Sequence, residues 1–426
     1  MLNRRNFLAV CSSFGMAGTL FPGALWSLAQ EKEKITPQMI DEAAKIADVP
    51  IPPEDRQMML RTLNEQVGDY DKIYALHLAN GVQPAFNFDP YVGAAPYETI
   101  RRESRISAAP SIAARAVPKN LEEIAFYSVR ELAELVRSRE VSSTALTEMY
   151  LERLKRYDPT LHFVITLTES RALAQAKEAD RDIAAGKYRG PLHGLPWGAK
   201  DLLAAKGYRT TWGAMPYKDQ VIDEDATVVK RLDAAGAVLV AKLTLGALAE
   251  GDVWFGGITR NPWNPAQGSS GSSAGPASAT AAGCVAFSIG SETLGSISSP
   301  STRCGCTGLR PTFGHVPRTG AMALSWSMDK LGPICRAVED CALVLEAIYG
   351  PDGEDRSVQH AAFNWDADLN WRRLRVGYLK SDFEFDPEKL AARVSRFGSM
   401  TGESKQAFIA QAKYDHQFDA AALKKL

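Results

Sequence analysis

The chain of 426 residues has few of the features that mark nucleic-acid-binding, membrane-spanning or metal-binding proteins. Its net charge is −1 and it has no run of basic residues, so nothing in the sequence suggests nucleic acid as a partner. Beyond the N-terminus no stretch reaches the ~18 apolar residues of a membrane span, so the mature protein should lack one. Histidine and cysteine number six each, and Cys304-Gly-Cys306 has no second cysteine pair or nearby histidine to complete a zinc site.

The cysteines also argue against a disulfide framework. Cys11 lies in the N-terminal segment, and the remaining five are an odd number placed in apolar or glycine-rich sequence. Such positions are typical of small buried hydrophobic residues. These five are Cys284, Cys304, Cys306, Cys335 and Cys341.

The first thirty residues have the pattern of an export signal. Paired arginines at positions 4 and 5 precede an uncharged segment over 9–30, and Ser27-Leu28-Ala29 matches a small-x-small cleavage site. Glycine and proline between positions 15 and 25 disfavour the alternative of a buried helix. The sequence therefore predicts a twin-arginine signal peptide over residues 1–29 and an exported protein, periplasmic or otherwise extracytoplasmic.

The composition after the signal divides the chain in two. Residues 30–117 are charged and mostly helical in pattern and end in a Ser/Ala/Pro-rich stretch, which predicts a helical N-terminal extension. The main domain is expected over residues 118–426. Its last helix, expected over 405–425, has no strand after it, although a helix of that length usually returns to a sheet. This favours the hypothesis that the domain is truncated at its C-terminus.

Helical and strand patterns alternate within the main domain. Ser128-Val-Arg-Glu131 is a capping box that opens a helix, and a second helix is expected to stop before Asp158-Pro159. Asp225 is expected to cap another helix, which Gly236 ends. Further helices are predicted over 169–185 and 336–349, and short strands over 163–165, 195–199, 238–240 and 374–379. The alternation predicts an α/β fold, a single large domain with a central mixed, largely parallel sheet covered by helices on both faces.

A run of small residues is the most informative segment of the chain. All sixteen residues from Gly268 to Gly283 are Gly, Ser, Ala, Pro or Thr. A linker of that composition is normally flanked by polar sequence, but this run leads directly into the apolar segment Cys284–Gly290, which predicts a buried strand. Small residues let backbones approach closely, and hydroxyls supply nucleophiles and hydrogen-bond donors. The combination predicts an active site.

Three patterns compete to supply a serine nucleophile. Gly271-Ser-Ser273-Ala-Gly275 matches the G-x-S-x-G elbow of Ser-His-Asp α/β-hydrolases, but a loop and no strand is expected before it. The histidine of such a triad would have to be His315, His360 or His416. Ser327-Met-Asp-Lys330 matches S-x-x-K without convincing companion motifs. In the third pattern a buried, neutral Lys200 is the base, although taken alone Lys200 would more simply lie at a sheet edge with its ammonium in water.

Three segments taken together resemble the amidase signature family, the Ser–cisSer–Lys amidohydrolases. They are Gly194–Asp201, the small-residue run around Gly271–Gly275, and Gly290–Pro300 with its continuation to Thr312. The three segments occur in the family's order and at compatible spacing, and the resemblance covers roughly residues 120–380. This is a much stronger signal than any single serine pattern.

The resemblance implies roles for three side chains. Lys200 is similar in position to the family's general base, and Ser296 to its acyl-forming nucleophile. Counting back from Ser296 by the family's usual interval makes Ser272 the bridging serine, which is usually held by a cis peptide bond. The oxyanion hole would then consist of the backbone N–H groups of Thr293, Leu294, Gly295 and Ser296.

The resemblance also implies the reaction. The expected enzyme is an amidase that cleaves a C–N bond in a small-molecule or peptide-like amide, with no metal and no cofactor. One alternative is the glutamine-hydrolysing subunit of tRNA-dependent amidotransferases, against which the export signal argues. A second is an inactive scaffold with the same fold, and a third is a Ser-His-Asp α/β-hydrolase that uses Ser273.

Three departures from the family pattern bear on these expectations. The family usually has Asp-x-Gly-Gly-Ser where this chain has Glu292-Thr-Leu294-Gly-Ser296, and Leu294 fits without strain only if its φ is negative. Ser298 stands where the family usually has arginine, which removes a cation near the site. The extension over 30–117 is outside the shared core, where it could cover the pocket or mediate association as a homodimer.

Overall fold

The computed structural model describes residues 35–78, 82–84, 89, 98–107, 118–383, 386–394 and 402–425. The signal peptide predicted over 1–29 lies outside these residues. The internal contacts divide the chain into two compact units, one extending to Trp365 and one beginning at Asp366. The sequence patterns indicated no boundary at this position, since they predicted a single domain over 118–426.

Two helices of the first unit lie in the predicted N-terminal extension. They are α1 (Pro37–Ala47) and α2 (Pro53–Ala75). The side chain of Thr36 caps α1 by accepting a hydrogen bond from the Met39 backbone nitrogen. The Asn64 amide on α2 exchanges two hydrogen bonds with the backbone of Ile35, at 2.8 and 3.2 Å. These hydrogen bonds hold the segment that leads into α1 against α2.

The remaining elements of the first unit alternate between helix and strand. The helices are α3 (Val129–Arg137), α4 (Ser143–Leu161), α5 (Glu169–Ala184), α6 (Thr227–Ala234), α7 (Ala274–Ala281), α8 (Ser298–Cys304) and α9 (Val338–Ile348). The strands are β1 (Val164–Leu167), β2 (Pro196–Lys200), β3 (Val238–Leu243), β4 (Val253–Trp254), β5 (Gly257–Ile258), β6 (Arg260–Asn261), β7 (Asn264–Gly268), β8 (Phe287–Glu292), β9 (Thr307–Gly308) and β10 (Lys330–Cys335).

Six of these strands form the central sheet, in the order β1-β3-β2-β8-β10-β9. The two central pairings, β3 with β2 and β2 with β8, are parallel. The three outer pairings are antiparallel. The predicted mixed sheet is thus confirmed, but its parallel character is limited to the centre because β10 returns directly alongside β8. The strands β4–β7 form two separate two-stranded ribbons.

Both faces of the sheet are buried. All six residues of β3 are buried, and its first three side chains alternate between two apolar clusters: Leu239 belongs to one, Val238 and Val240 to the other. The first cluster includes side chains of α3, α4, α6 and α9, and the second includes side chains of α4, α5 and α7. Helices therefore cover both faces, as a strand whose residues are all buried requires.

The helix boundaries show where sequence signals are followed and where they are overridden. The capping box of Ser128 and Glu131 is present at the start of α3, as predicted. The stop predicted before Asp158 is wrong, because α4 continues through Pro159 to Leu161. A proline removes only its own N–H from the helix ladder, and the chain leaves the helix three residues later at His162, which has φ 52°.

Two further local predictions are wrong. The residue before α6 is Ala226, which makes no side-chain capping bond. Asp225 instead accepts a hydrogen bond from the Lys206 backbone nitrogen at 2.9 Å and pairs with Arg171 at 3.2 Å. The segment 374–379, predicted as a strand, is irregular, and most of its apolar side chains are exposed. An alternating pattern forms a strand only where another strand pairs with it.

The second unit contains three described helices, α10 (Lys380–Phe383), α11 (Pro387–Val394) and α12 (Gly402–Leu423). Lys405 on α12 forms an ion pair with Glu388 on α11 at 2.8 Å. The predicted C-terminal helix is present as α12, and its apolar residues do not gather on one face. None of the helices in the described parts of either unit is long and apolar enough to cross a bilayer.

Candidate active site

The candidate site lies at the carboxyl ends of two parallel strands. Lys200 is the last residue of β2, and Glu292 is the last residue of the neighbouring β8. The two strands run in register, with Ala199 opposite Ile289, so their carboxyl ends lie at the same edge of the sheet. The loop before α7, which carries Ser272 and Ser273, reaches the same edge. Three segments distant in sequence thus meet around Lys200.

Lys200 is fully buried, and its ammonium nitrogen lies among hydroxyl groups. The Nζ atom donates to Ser272 Oγ at 2.8 Å and to Ser273 Oγ at 3.0 Å. It also contacts Ser291 Oγ at 2.9 Å and the Ser291 carbonyl at 3.3 Å. The sheet-edge alternative, in which the Lys200 head reaches water, is therefore wrong. Every one of these acceptors is uncharged.

Burial dominates the proton affinity of this lysine. Removal from water lowers the pKa of Lys200 from 10.5 to about 7, while the carboxylates of Asp329 and Glu292 act in the opposite direction. Since these carboxylates are not hydrogen-bonded to Nζ, they do not offset the cost of burying the charge. Lys200 can accordingly exchange a proton near neutral pH.

The small residues of the run give the loop before α7 its close contacts. A Cβ atom on Gly271 would lie 1.8 Å from the Gly251 carbonyl oxygen, and one on Gly275 would lie 2.5 Å from the Thr244 backbone nitrogen. The Gly271–Ser272 peptide bond is cis, at the serine to which the resemblance assigned such a bond. Ser272 is 1% exposed, so its hydroxyl faces the protein interior around Lys200.

Ser296 lies in the loop between β8 and α8. It is 9% exposed, and its carbonyl accepts a hydrogen bond from the Ser273 backbone nitrogen at 3.0 Å. This bond joins the loop that carries Ser296 to the small-residue run. Among the hydrogen bonds of the described residues none involves Ser296 Oγ, so the structure does not connect it to Ser272 Oγ.

The backbone around Leu294 satisfies the condition set by the sequence. Positive φ falls on the neighbouring Gly295, at 88°, and not on Leu294. A leucine can therefore replace the family's glycine without left-handed strain. The Leu294 side chain points away from the core and is 85% exposed.

Glu292 holds this loop together and was not assigned a role from the sequence. Its Oε2 atom accepts hydrogen bonds from the backbone nitrogens of Ile297 at 2.8 Å and Ser298 at 2.9 Å. Burial raises the pKa of the Glu292 carboxyl, but the backbone donors of Ser298, Ile297 and Gly295 outweigh it, and the pKa is lowered overall. Its other oxygen pairs with Arg310 at 3.3 Å.

Asp329 is the second carboxylate that sequence reasoning missed. Its Oδ1 atom accepts a hydrogen bond from Thr293 Oγ1, while the next residue, Lys330, donates to the Thr293 carbonyl at 2.9 Å. The S-x-x-K pattern does not form a catalytic pair, because Ser327 Oγ contacts Ser325 Oγ and not Lys330. The informative feature of residues 327–330 is their position: they lead into β10, the strand that pairs with β8.

The elbow alternative places its nucleophile on Ser273. Strand β7 does precede this serine, so the expectation of a loop was wrong, but β7 belongs to a two-stranded ribbon and not to the central sheet. The Ser273 hydroxyl donates to the Ser291 carbonyl at 3.0 Å and accepts from Lys200. Its hydrogen-bond partners in the described chain include no histidine.

Metal binding has little support in the arrangement of side chains. Among the described residues, no group of three or more His, Cys, Asp or Glu side chains is placed to hold a metal ion. Cys304 and Cys306 instead donate to the backbone carbonyls of Ser269, at 3.7 Å, and Ala277, at 3.4 Å.

The features that characterise this chain are thus a mixed sheet and, at the carboxyl ends of its parallel strands, a buried lysine among serine hydroxyls. The family model described as Amidase matches residues 145–397, more than half of the chain, and the chain therefore belongs to the amidase family. This confirms the resemblance drawn from the sequence and the expected fold class.

Comparison with known proteins identifies several relatives. A glutamyl-tRNA(Gln) amidotransferase subunit from Methylococcus capsulatus is 43% identical over 266 residues, 60% of this chain and 54% of that protein. The solved peptide amidase from Stenotrophomonas maltophilia is 37% identical, with a TM-score of 0.53 over 63% of this chain and 54% of that one. A solved amidase family protein from Bacillus anthracis is 28% identical, with a TM-score of 0.53 over 60% and 56% of the two chains. The chain spans about half the length of the curated relatives it matches.

Proposed function

We propose that this chain hydrolyses carboxylic amides through an acyl-enzyme on Ser296, with Lys200 as the general base and Ser272 as the proton relay. The observation that carries the proposal is the 2.8 Å hydrogen bond from Lys200 Nζ to Ser272 Oγ. A lysine with a pKa of about 7 is partly neutral at neutral pH, and a neutral amine accepts protons. Membership of the amidase family supports the same reaction class.

The first half of the reaction transfers two protons in relay and forms the bond between Ser296 Oγ and the carbonyl carbon. Neutral Lys200 takes a proton from the Ser272 hydroxyl, Ser272 takes one from Ser296, and Ser296 Oγ attacks the amide carbonyl carbon. The backbone N–H groups of Thr293, Leu294 and Ser296 would donate to the oxyanion, joined by that of Gly295 once it leaves the Glu292 carboxylate. One such donor typically contributes about 3 kcal/mol. The Ser272–Ser296 hydrogen bond would form with substrate bound, since such bonds are often long in unliganded enzymes.

The second half returns the proton and cleaves two bonds. The lysine ammonium passes its proton through Ser272 to the amide nitrogen, the C–N bond breaks, and the amine leaves. Water then attacks the ester carbonyl and gives a proton to Ser272 and Lys200, which return it to Ser296 Oγ as the ester bond breaks. The products are an amine or ammonia and a carboxylic acid, and the enzyme regains its starting protonation.

Active-site labelling tests this assignment. We expect a fluorophosphonate probe to modify Ser296, identified by mass spectrometry of the labelled peptide, and Lys200→Ala to abolish labelling. Ser296→Ala is the matched negative control, and Ser327→Ala, at a serine outside the cluster, should label as the unmodified protein does. Labelling of Ser273 that survives Lys200→Ala would overturn the proposal in favour of the elbow. Absence of labelling in folded protein would favour an inactive scaffold.

Glutamine hydrolysis is the second candidate function. The 43% identity with the amidotransferase subunit from Methylococcus capsulatus favours it. Against it, Ser298 stands at the position where the family usually has arginine, so a cation that could face an anionic substrate is absent from that position. We expect faster ammonia release from a neutral carboxamide than from glutamine at equal concentration, and the opposite ranking would favour the glutaminase.

Export from the cytoplasm is part of the same proposal. It rests on the paired arginines and the uncharged segment of residues 1–29. Replacing Arg4 and Arg5 together by lysine should leave the protein in the cytoplasmic fraction of a host that has the twin-arginine pathway. Unchanged fractionation of that variant would overturn export by this route.

A further inference from the structure

Two loops meet beside the proposed nucleophile. Strands β8 and β10 pair in antiparallel fashion with Glu292 opposite Lys330, so the loop that follows β8 and the loop that precedes β10 leave the sheet side by side. The first loop, 293–297, carries Ser296. The second, 324–329, ends at Asp329. Both are therefore at the mouth of the candidate site.

The Asp329 carboxylate fixes the two loops to each other. One oxygen accepts a hydrogen bond from Thr293 Oγ1 in the first loop. The other accepts from the backbone nitrogens of Leu324, at 2.6 Å, and Ser325, at 3.1 Å, in the second loop. Asp329 is 7% exposed, so these hydrogen bonds are shielded from water and hold the two loops firmly.

Large apolar side chains project from both loops into solvent. Leu294 is 85% exposed, Leu324 is 50% exposed and Met328 is 48% exposed. A single exposed leucine is ordinary on a protein surface, but three apolar side chains held at one place by buried hydrogen bonds mark a contact surface. Leu294 lies two residues before Ser296 in the same loop.

The charged groups of the two loops already have partners. Glu292 accepts hydrogen bonds from the loop backbone and pairs with Arg310, while Lys330 donates to the Thr293 carbonyl. Asp329 is occupied by Thr293 and by the second loop. The surface offered to a ligand on this side is thus mainly apolar.

We propose that Leu294, Leu324 and Met328 contact an apolar acyl group next to the scissile carbonyl, and that the substrates are amides of hydrophobic carboxylic acids. The inference rests on the proposed function. In that reaction the leaving nitrogen must face Ser272 to receive its proton, so the acyl group extends toward the opposite, exposed side of the loop. The Leu294 side chain lies on that side, where it determines specificity, while the Leu294 backbone N–H would serve the oxyanion.

A series of primary amides tests the inference. The ratio of kcat/KM for hexanamide to that for acetamide is expected to exceed one in the unmodified protein. Leu294→Ala should lower the ratio about tenfold, because contacts with a few methylene groups are worth that much in an apolar site. Leu324→Ala and Met328→Ala should lower it by roughly threefold each. Leu78→Ala, at an exposed leucine outside both loops, is the matched control.

The outcomes separate this inference from the proposed function. If a fluorophosphonate labels Ser296 and acetamide is hydrolysed, but the ratio is the same in Leu294→Ala, Leu324→Ala and Met328→Ala, the inference is overturned and the amidase stands. A ratio that follows the chain length of an N-alkyl substituent instead of the acyl chain also overturns it. If no amide is hydrolysed and Ser296 is not labelled, the proposed function itself has failed.

Discussion

Two lysines on adjacent strands of the sheet are equally buried but differ in what surrounds their nitrogen atoms. Lys200 is the last residue of β2. Lys242 lies on β3 opposite Ala199, the residue before Lys200. Both are fully buried. Lys242 Nζ lies 2.6 Å from a carboxylate oxygen of Asp201, whereas Lys200 Nζ contacts hydroxyl and carbonyl oxygens of Ser272, Ser273 and Ser291. One lysine therefore has an anion in contact and the other has none.

The partners determine what each lysine can do. Burial lowers the pKa of both, but at Lys242 the carboxylate of Asp201 opposes that effect and stabilises the ammonium form. Lys242 also donates to the Arg209 carbonyl and to Thr210 Oγ1, each at 3.0 Å, and so ties the 209–211 segment to the sheet. Burial alone therefore does not turn a lysine into a general base. A buried lysine becomes one when its acceptors are neutral and one of them can relay a proton.

The largest expected effect comes from replacing Lys200, the proposed general base. Lys200→Met should lower the rate of Ser296 labelling by about 10²–10⁴-fold, the usual range for general base catalysis, and should leave a folded protein. Stopped labelling reactions followed by mass spectrometry would measure this rate, and circular dichroism would verify the fold. Lys206→Met removes an exposed lysine and serves as the control. Unchanged labelling of Lys200→Met would remove the functional difference between the two lysines.

Lys242→Met should affect stability instead. Removing its ammonium leaves Asp201 buried without a counter-ion, although Thr211 still donates to it, and this should lower the free energy of unfolding by about 3–5 kcal/mol. The double variant Asp201→Asn/Lys242→Met should recover much of this loss, because no buried charge is then left alone. Urea denaturation of the three proteins would measure it. Equal stability of the single and double variants would show that Lys242 acts by packing and not by charge.

The pH dependence follows from the sign of the Lys200 shift. The base must be neutral, so kcat/KM should rise with pH and reach half of its maximum near pH 7, the value to which burial lowers the pKa of Lys200. Between about 7 and 10.5 the unfolded chain binds a proton that the folded protein does not, so this lysine's contribution to stability falls as pH falls through that window. The stability gained by Lys200→Met should therefore be largest below pH 7. A flat rate profile from pH 6 to 9 would contradict the assignment.

The smallest effect is expected from a carboxylate that acts at a distance. Glu292 raises the pKa of Lys200 by its charge without contacting Nζ. Glu292→Gln retains an oxygen acceptor for the loop and removes the charge, so the midpoint of the pH–rate profile should move to lower pH. Arg310→Gln removes the cation beside Glu292 and should move it in the opposite direction. Identical midpoints in the two variants would show that Lys200 is governed by burial alone.

Much of the architecture follows from short-range patterns in the sequence. The strand ending at Lys200 was predictable because Leu195–Ala199 is an apolar segment, and α3 because Ser128 and Glu131 form a capping box. The continuation of α4 past Pro159 was not predictable, because the local sequence does not reveal whether the helix tolerates the loss of the one N–H that a proline removes. The predicted strand at 374–379 failed for a similar reason, since pairing with another strand cannot be inferred from alternation alone.

The candidate site was predictable to the extent that its members belong to ordered motifs. Lys200, Ser272 and Ser296 were identified because three segments matched one family in order. Glu292 appeared in the same segment but only as a departure from that pattern. Asp329 was missed because it is 36 residues from Thr293, and the two meet only through the antiparallel register of β8 and β10. Such a register depends on packing of the whole sheet.

The free thiols give this protein an internal measure of how its parts open. All five cysteines in the described chain are unpaired, and burial raises the pKa of Cys284, Cys304 and Cys306 to about 12. Protonated, enclosed thiols react slowly with alkylating reagents, so each becomes reactive only when its surroundings separate. Cys304 is the last residue of α8, the helix that follows the loop carrying Ser296, and Cys335 is the last residue of β10. The order in which these cysteines are alkylated would therefore reveal whether the loop that carries Ser296 opens before the sheet does.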